Sequence, residues 1–167
     1  MKKLSRILAV LLMVCMILSM IPTAFATGDE YAGKTVILHS NDVHGAIAGY
    51  AYMAGLKADF EAKGAEVILA DAGDYSQGTT YVSLSKGANA VEMMNAVGYD
   101  VATLGNHEFD YGMEKALANV EAAAFPYVSC NFYHEKDGVA GERVLESAQI
   151  FETSGGLRVA VVGITTP

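Results

Sequence analysis

Short apolar segments alternate with segments of helical periodicity over most of this chain, and this alternation limits the possible folds more than any other feature. Five segments rich in Val, Ile and Leu are predicted as strands, namely residues 35–40, 66–70, 100–104, 126–130 and 157–164. Apolar side chains recur at helical spacing in three stretches between them, namely Met53, Leu56 and Phe60; Val91, Met94 and Val97; and Leu117, Val120 and Ala124. Strands that are apolar throughout are typical of a parallel sheet covered on both faces, so we predict an α/β fold.

The segments near the C-terminal end predict a different local pattern. Residues 138–147 are predicted to form a surface loop. A further strand is predicted at residues 149–152, paired with the last strand across the turn Ser154-Gly155-Gly156. His39, inside the first strand, is predicted to be packed in the core or to support a metal ligand, and not to be a ligand itself. His134 lies in a polar stretch and is predicted to be exposed.

The first 26 residues have the features of an export signal. Lys2, Lys3 and Arg6 precede an apolar run over residues 7–21, and Ala24-Phe25-Ala26 has the small-x-small pattern of a cleavage site. A membrane anchor is the alternative, but the run is shorter than the roughly 20 residues that a spanning helix needs. We therefore predict that residues 1–26 are a cleaved signal peptide, that residues 27–33 form a flexible leader, and that the protein is secreted without stable membrane insertion.

The acidic composition excludes one class of partner. The formal net charge of the chain is −8, and cleavage of the leader with its three basic residues makes the remainder more acidic. A protein of this charge, without a basic stripe, is not expected to bind a nucleic-acid polymer.

Polar residues follow the first three predicted strands, at the point where each strand ends. These three loops are residues 41–45 (NDVHG), 71–74 (DAGD) and 105–110 (GNHEFD). In α/β sheets, ligands bind outside the carboxyl ends of the strands. We therefore expect the three loops to form one site although they lie far apart along the chain.

The residue types in these loops favour a metal site. Asp42 and His44 offer a carboxylate and an imidazole, Asp74 offers a second carboxylate, and Asn106 offers an amide oxygen. Oxygen and nitrogen ligands without a thiolate suit Zn, Mn, Mg or Fe. Each of these residues alone is more often a capping or surface residue, but their occurrence at three consecutive strand ends favours a shared site.

A nucleophilic serine is the competing interpretation of the second loop. The stretch around Ser76 superficially matches the G-x-S-x-G pattern of serine hydrolases, but Asp74 occupies the position of its first glycine. The sequence contains neither a P-loop pattern nor a G-x-G-x-x-G pattern after its first strand. A metal-dependent reaction therefore remains the favoured chemistry.

The three loops are similar to those of the secreted 5'-nucleotidase and 2',3'-cyclic-nucleotide phosphodiesterase family, within the calcineurin-like phosphoesterases. The resemblance rests on NDVHG at 41–45, on Gly73-Asp74 followed by Gln77-Gly78-Thr79, and on GNHEFD at 105–110, which is its most specific part. It extends from about Thr35 to the last residue. It implies a calcineurin-like metallophosphatase fold, in which a layered sheet carries helices on its faces.

The resemblance also implies a role for each candidate metal ligand. Asp42 and His44 would bind the first of two divalent ions, Zn, Mn or similar, Asp74 would bridge both ions, and Asn106 would bind the second. The amide of Asn106 would hold an ion without cancelling the positive charge that attracts a phosphate.

The catalytic roles implied by the resemblance fall on the third loop. His107 would be the catalytic histidine, and Asp110 would orient it. The substrates would be extracellular nucleotides, whose phosphoester bonds would be hydrolysed by a water activated by the two metals. Glu108 and Phe109 are predicted to be packing or surface residues of the loop.

One departure from the family pattern leaves two functions open. The family completes its metal sites with histidines downstream of the matched region, including a Gly-His-x-His stretch, and carries a C-terminal nucleotide-binding domain. We therefore expect residues 34–167 to represent the N-terminal part of a truncated metallophosphoesterase domain, poorly active alone. The alternative is a non-catalytic α/β domain that binds a metal or a partner weakly.

Overall fold

Strands and helices alternate along residues 29–166, the part of the chain that the computed structural model describes. The strands are β1 Thr35–Ser40, β2 Glu66–Asp71, β3 Val101–Ala102, β4 Tyr133–Lys136, β5 Val139–Arg143, β6 Ala148–Glu152 and β7 Arg158–Val162. The helices are α1 Ile47–Ala62, α2 Thr80–Leu84, α3 Ala88–Val97 and α4 Met113–Ala122. The predicted signal peptide lies outside the described residues, and among those described no helix is long and apolar enough to cross a membrane.

Part of the predicted leader contacts the domain. Asp29–Tyr31 form a single 3-10 turn. The N–H of Tyr31 donates to the carbonyl of Lys63 at 2.9 Å, and the Tyr31 ring meets Phe60 edge to face with centroids 5.1 Å apart. These contacts attach the segment to the C-terminal end of α1.

The first three strands form a parallel sheet in the order β1-β2-β3. Parallel neighbours need a crossover connection, which α1 supplies between β1 and β2, and α2 and α3 supply between β2 and β3. The register pairs Ser40 with Asp71 and Asp71 with Ala102. Consequently the residues that follow the three strands emerge at the same edge of the sheet, as predicted.

The predicted strand at residues 126–130 continues this sheet by isolated bridges instead of a regular ladder. Tyr127 bridges Ala102 in parallel orientation, and Val128 bridges Glu146. Pro126 accepts a hydrogen bond from the N–H of Ala102 but has no N–H to donate, which limits the ladder on this segment.

Two antiparallel hairpins complete the described residues. The pairing of β6 with β7 was predicted and is confirmed, with Ala148 opposite Val162. The prediction of a surface loop at residues 138–147 is wrong, because β5 lies there and pairs with β4. Asp137 and Gly138 both have positive φ in the turn, at 56° and 76°, and an Asp-Gly pair is a known signature of a two-residue hairpin turn.

The helices cover one face of the parallel sheet and build the core there. Buried side chains of the sheet and helices form this core, including Leu69, Met94, Leu104 and Tyr127. On the opposite face of β1, Ile37 is 55% exposed and His39 is also exposed. Ile68 of β2 and Val101 of β3, in register on that face, are nevertheless buried, at 3% and 0% exposure. The prediction that His39 is packed in the core is therefore wrong, whereas the α/β class is confirmed.

Candidate metal centre

The loop after β1 holds Asp42 and His44 in left-handed backbone conformations, with φ of 51° and 46°. Backbone hydrogen bonds fix both residues to the neighbouring loop, because the N–H of Asp42 donates to Gly73 O and that of His44 donates to Asp74 O, each at 3.0 Å. Nε2 of His44 lies 3.8 Å from Oδ1 of Asp42. Two ligands of one ion, each about 2.0–2.2 Å from it, lie at most about 4.4 Å apart, so this pair can share an ion.

The loop after β2 places Asp74 against the third loop. Asp74 also has a left-handed backbone, with φ of 63°. A Cβ on Gly73 would come within 2.2 Å of Gly105 N, and a Cβ on Gly105 would come within 2.3 Å of Asp74 Oδ1. The two loops can approach this closely because both positions are glycine.

The loop after β3 carries the predicted catalytic pair. Residues His107–Phe109 form a 3-10 turn that begins after Asn106. Nδ1 of His107 lies 2.7 Å from Oδ2 of Asp110, and the N–H of His107 donates to Oδ1 of Asp74 at 2.9 Å. The side chain of Asn106 is exposed, and the backbone places it at this edge between Gly105 and His107.

The side chains of the three loops form a group that can hold a divalent metal. One ligand atom each of His44, Asp74 and His107 lies within 4.8 Å of the other two. The rings of His44 and His107 meet edge to face, with centroids 5.1 Å apart. Imidazole and carboxylate donors without a thiolate fit a hard or borderline divalent ion. The neighbouring carboxylate of Asp42 adds negative charge, which favours binding of a cation between these side chains.

The Asp110 carboxylate changes the proton affinity of the histidine beside it. The hydrogen bond that Asp110 accepts from Nδ1 of His107 raises the pKa of His107 above its ordinary value, and the negative charges of Asp110 and Asp74 act in the same direction. Because Nδ1 of His107 is engaged by Asp110, Nε2 is the ring nitrogen left for a substrate or an ion.

Sequence reasoning missed one residue of this centre. Glu108 is 1% exposed, which agrees with the packing alternative and not with the surface one, but its hydrogen bonds were not predicted. Its two carboxylate oxygens accept hydrogen bonds from four backbone N–H groups, those of Asp74, Tyr75, Ser76 and Gly105. The sequence shows only that Glu108 is an acidic residue in a turn between two glycines. That pattern occurs at buried and at exposed positions, so it does not predict the burial of Glu108.

A second buried carboxylate lies beneath the loops at the end of β2. Asp71 is 3% exposed and accepts a hydrogen bond from the Ser40 hydroxyl at 2.5 Å and one from the Gly73 N–H at 2.9 Å. The Ser40 hydroxyl lies 2.7 Å from the hydroxyl of Tyr99. Burial raises the pKa of Asp71 to about 7, although both hydrogen bonds oppose the shift.

The model of the calcineurin-like phosphoesterase family matches residues 35–166, which include all three loops. The chain belongs to the calcineurin-like phosphoesterase family. Members of this family use divalent metals, in agreement with the ligand group formed by His44, Asp74 and His107.

Relatives within the family share the matched region at moderate identity. The 5'-nucleotidase of Vibrio cholerae is 38% identical over 144 residues, which cover 80% of this chain and 25% of the relative. Protein UshA of Escherichia coli is 31% identical over 155 residues, which cover 86% of this chain and 28% of the relative. This chain therefore spans about a quarter of the length of the curated relatives that it matches.

Solved structures agree with the calcineurin-like fold. The 5'-nucleotidase precursor from Thermus thermophilus aligns with a TM-score of 0.66 and 27% identity. The alignment covers 78% of this chain and 28% of the Thermus chain. The NAD nucleotidase of Haemophilus influenzae aligns with a TM-score of 0.64 and 27% identity. The alignment covers 78% of this chain and 26% of the Haemophilus chain. The predicted calcineurin-like architecture is thereby confirmed.

Proposed function

We propose that this chain forms part of a secreted, metal-dependent phosphoesterase that hydrolyses phosphoester bonds of extracellular nucleotides. The observation that carries the proposal is the convergence of three loops, in which His44, Asp74 and His107 come within 4.8 Å of one another. The names of the relatives, which include 5'-nucleotidases, favour this function over that of a non-catalytic binding domain.

Four side chains would hold two divalent ions, Zn, Mn or similar. Asp42 and His44 would hold one ion, Asn106 would hold the other, and Asp74 would lie between them. Ions bound there would supply positive charge for a phosphate group and increase the acidity of a water molecule. The left-handed backbones and the bonds between loops would keep Asp42, His44 and Asp74 in place before an ion arrives.

His107 and Asp110 would handle the phosphoryl group and its leaving oxygen. Asp110 holds Nδ1 of His107, so Nε2 would be directed at the substrate. In its protonated form, His107 can stabilise negative charge on phosphoryl oxygens or donate a proton to the leaving oxygen, and the hydrogen bond to Asp110 supports that form.

The test is release of phosphate by residues 27–167. With Mn²⁺ present, we expect slow release of phosphate from AMP, because the chain spans about a quarter of its relatives' length. Asp74→Asn should remove this release, whereas Asp59→Asn, on the exposed surface of α1, should retain it. Equal release by parent and Asp74→Asn, or no release above a metal-free blank, would contradict the proposal.

Export would follow from cleavage after Ala26. The basic, apolar and small-x-small segments of residues 1–26 support this step. Mass spectrometry of the protein recovered outside the cytoplasm should identify Thr27 as its first residue. Recovery of the full chain from the cytoplasm alone would contradict export.

A further inference from the structure

Glu108 is the most completely hydrogen-bonded carboxylate that the described residues contain. Its Oε2 accepts from the N–H groups of Gly105 at 2.7 Å and Asp74 at 2.8 Å. Its Oε1 accepts from those of Tyr75 at 2.9 Å and Ser76 at 3.1 Å. The donors come from two loops that are separate in sequence, so a single side chain joins them.

These bonds explain how a charged group can be buried at this position. A carboxylate removed from water is strongly destabilising unless hydrogen bonds replace its hydration, and bonds to a charged acceptor are stronger than neutral ones. Glu108 is 1% exposed, and both of its oxygens are engaged. The loop that contains Asp74 is therefore organised around a fixed negative charge.

Asp74 and Glu108 bind each other's loops reciprocally. Glu108 accepts the N–H of Asp74, while Oδ1 of Asp74 accepts the N–H of His107, the residue that precedes Glu108. The first bond fixes the left-handed backbone of Asp74, and the second orients its carboxylate. Movement of Glu108 would therefore change both the position and the direction of the Asp74 oxygens.

We propose that Glu108 is a positioning residue of the metal centre, which acts through Asp74 to set the affinity and the coordination geometry of a divalent ion. The proposal rests on the metal-binding role proposed for Asp74. Glu108 itself lies beneath the loops and is not a ligand in this account. Residues that orient metal ligands typically change metal affinity about 10- to 100-fold when they are mutated.

The Glu108→Gln variant tests this positioning role, because it removes the charge and part of the hydrogen bonding with little change in side-chain volume. An amide has one oxygen, and its NH₂ group would face two of the four N–H donors whichever way it is turned. Two hydrogen bonds are lost on one side of the network in either orientation. Glu121→Gln, on the exposed surface of α4, removes the same charge without touching the loops and is the matched control.

The first measurement uses metal-free residues 27–167. In NMR spectra, the amides of Asp74, Tyr75, Ser76 and Gly105 should be protected from hydrogen exchange in the parent. Glu108→Gln should lose this protection at the two amides that face its NH₂ group, while signals of the β6–β7 hairpin remain unchanged. Equal protection of these four amides in parent and variant would overturn the proposal without reference to any metal.

The second measurement titrates Mn²⁺ and Co²⁺ separately into the folded proteins. Glu108→Gln should bind Mn²⁺ at least about 10-fold more weakly than the parent and Glu121→Gln, and its visible Co²⁺ spectrum should change. Should Glu108→Gln fail to fold, Glu108→Asp, which keeps the charge but is shorter, replaces it with the same expectations. Parental affinity and spectrum in a folded variant would overturn the proposal, whereas no binding by the parent would contradict the proposed function instead.

Discussion

The candidate metal ligands Asp42, His44 and Asp74 share a backbone conformation that most residue types avoid. Their φ angles lie between 46° and 63°, and such conformations cost about 1–3 kcal/mol each unless the surroundings support them. Aspartate and histidine are among the residue types that tolerate this region best. The same side chains therefore suit both the ligand chemistry and the backbone.

At the residue scale, the pair of His107 and Asp110 makes a direct prediction about proton affinity. Asp110→Asn removes the negative acceptor whose hydrogen bond raises the pKa of His107, so that pKa should fall toward the ordinary value. NMR titration of the histidine ring protons in metal-free protein measures the change. The ring-proton signals of His134, exposed on β4, should be the same in both proteins and serve as the control, and an unchanged pKa of His107 would refute the pairing.

Sequence reasoning predicted that the three loops meet because the informative residues have chemistry of their own. An aspartate, a histidine or an asparagine at the end of one apolar strand is a weak signal, but such residues at three consecutive strand ends indicate the ligands of a shared site. Glu108 lacked such a signal, because its role depends on four N–H groups, three of them from residues 74–76, which are remote in sequence. The roles of all the candidate site residues remain predictions, namely those of Asp42, His44, Asp74, Asn106, His107 and Asp110.

At the scale of secondary-structure elements, the site depends on how closely the loops after β2 and β3 approach. The strands and helices that lead into these loops were predictable from apolar periodicity. The β4–β5 hairpin was not, because every residue of both strands is exposed and no apolar alternation marks it. Its Asp137-Gly138 turn was the only local indication in the sequence.

The close approach of the two loops predicts a strong preference for glycine. Gly73→Ala and Gly105→Ala should each lower the free energy of unfolding by roughly 1–3 kcal/mol, because the added methyl group would meet backbone or carboxylate atoms. Gly55→Ala is the matched control, since it lies within α1 with open space around it and should stabilise by roughly 0.5–1 kcal/mol. Urea denaturation measures all three, and equal effects at positions 73 and 55 would disprove the steric argument.

At the scale of the whole molecule, the buried charge of Asp71 links folding to pH. Its pKa rises from 3.8 to about 7 in the folded chain because of burial. The folded state therefore binds more protons than the unfolded state within that interval. Stability contributed by this group is present at the acidic end and decreases as the pH rises through the folded pKa.

Asp71→Asn tests this linkage. The amide keeps an oxygen for the Gly73 N–H and can donate to the Ser40 hydroxyl, but it does not titrate. The free energy of unfolding of the parent, minus that of the variant, should therefore decrease from pH 3.8 to about 7 in metal-free buffer. Urea unfolding at several pH values gives this difference, and a constant or increasing difference would contradict the assigned shift.

The left-handed backbones at positions 42, 44 and 74 also define what redesign of this centre can attempt. Asparagine tolerates the same φ region, so an aspartate there can be exchanged for an amide ligand, which alters the charge offered to a cation while preserving the loop. Threonine, valine and isoleucine are excluded at these positions by their branched Cβ atoms. A mutant library for altered ion selectivity should therefore randomise the neighbours of these three residues. The three positions themselves should be limited to the few residue types that tolerate positive φ.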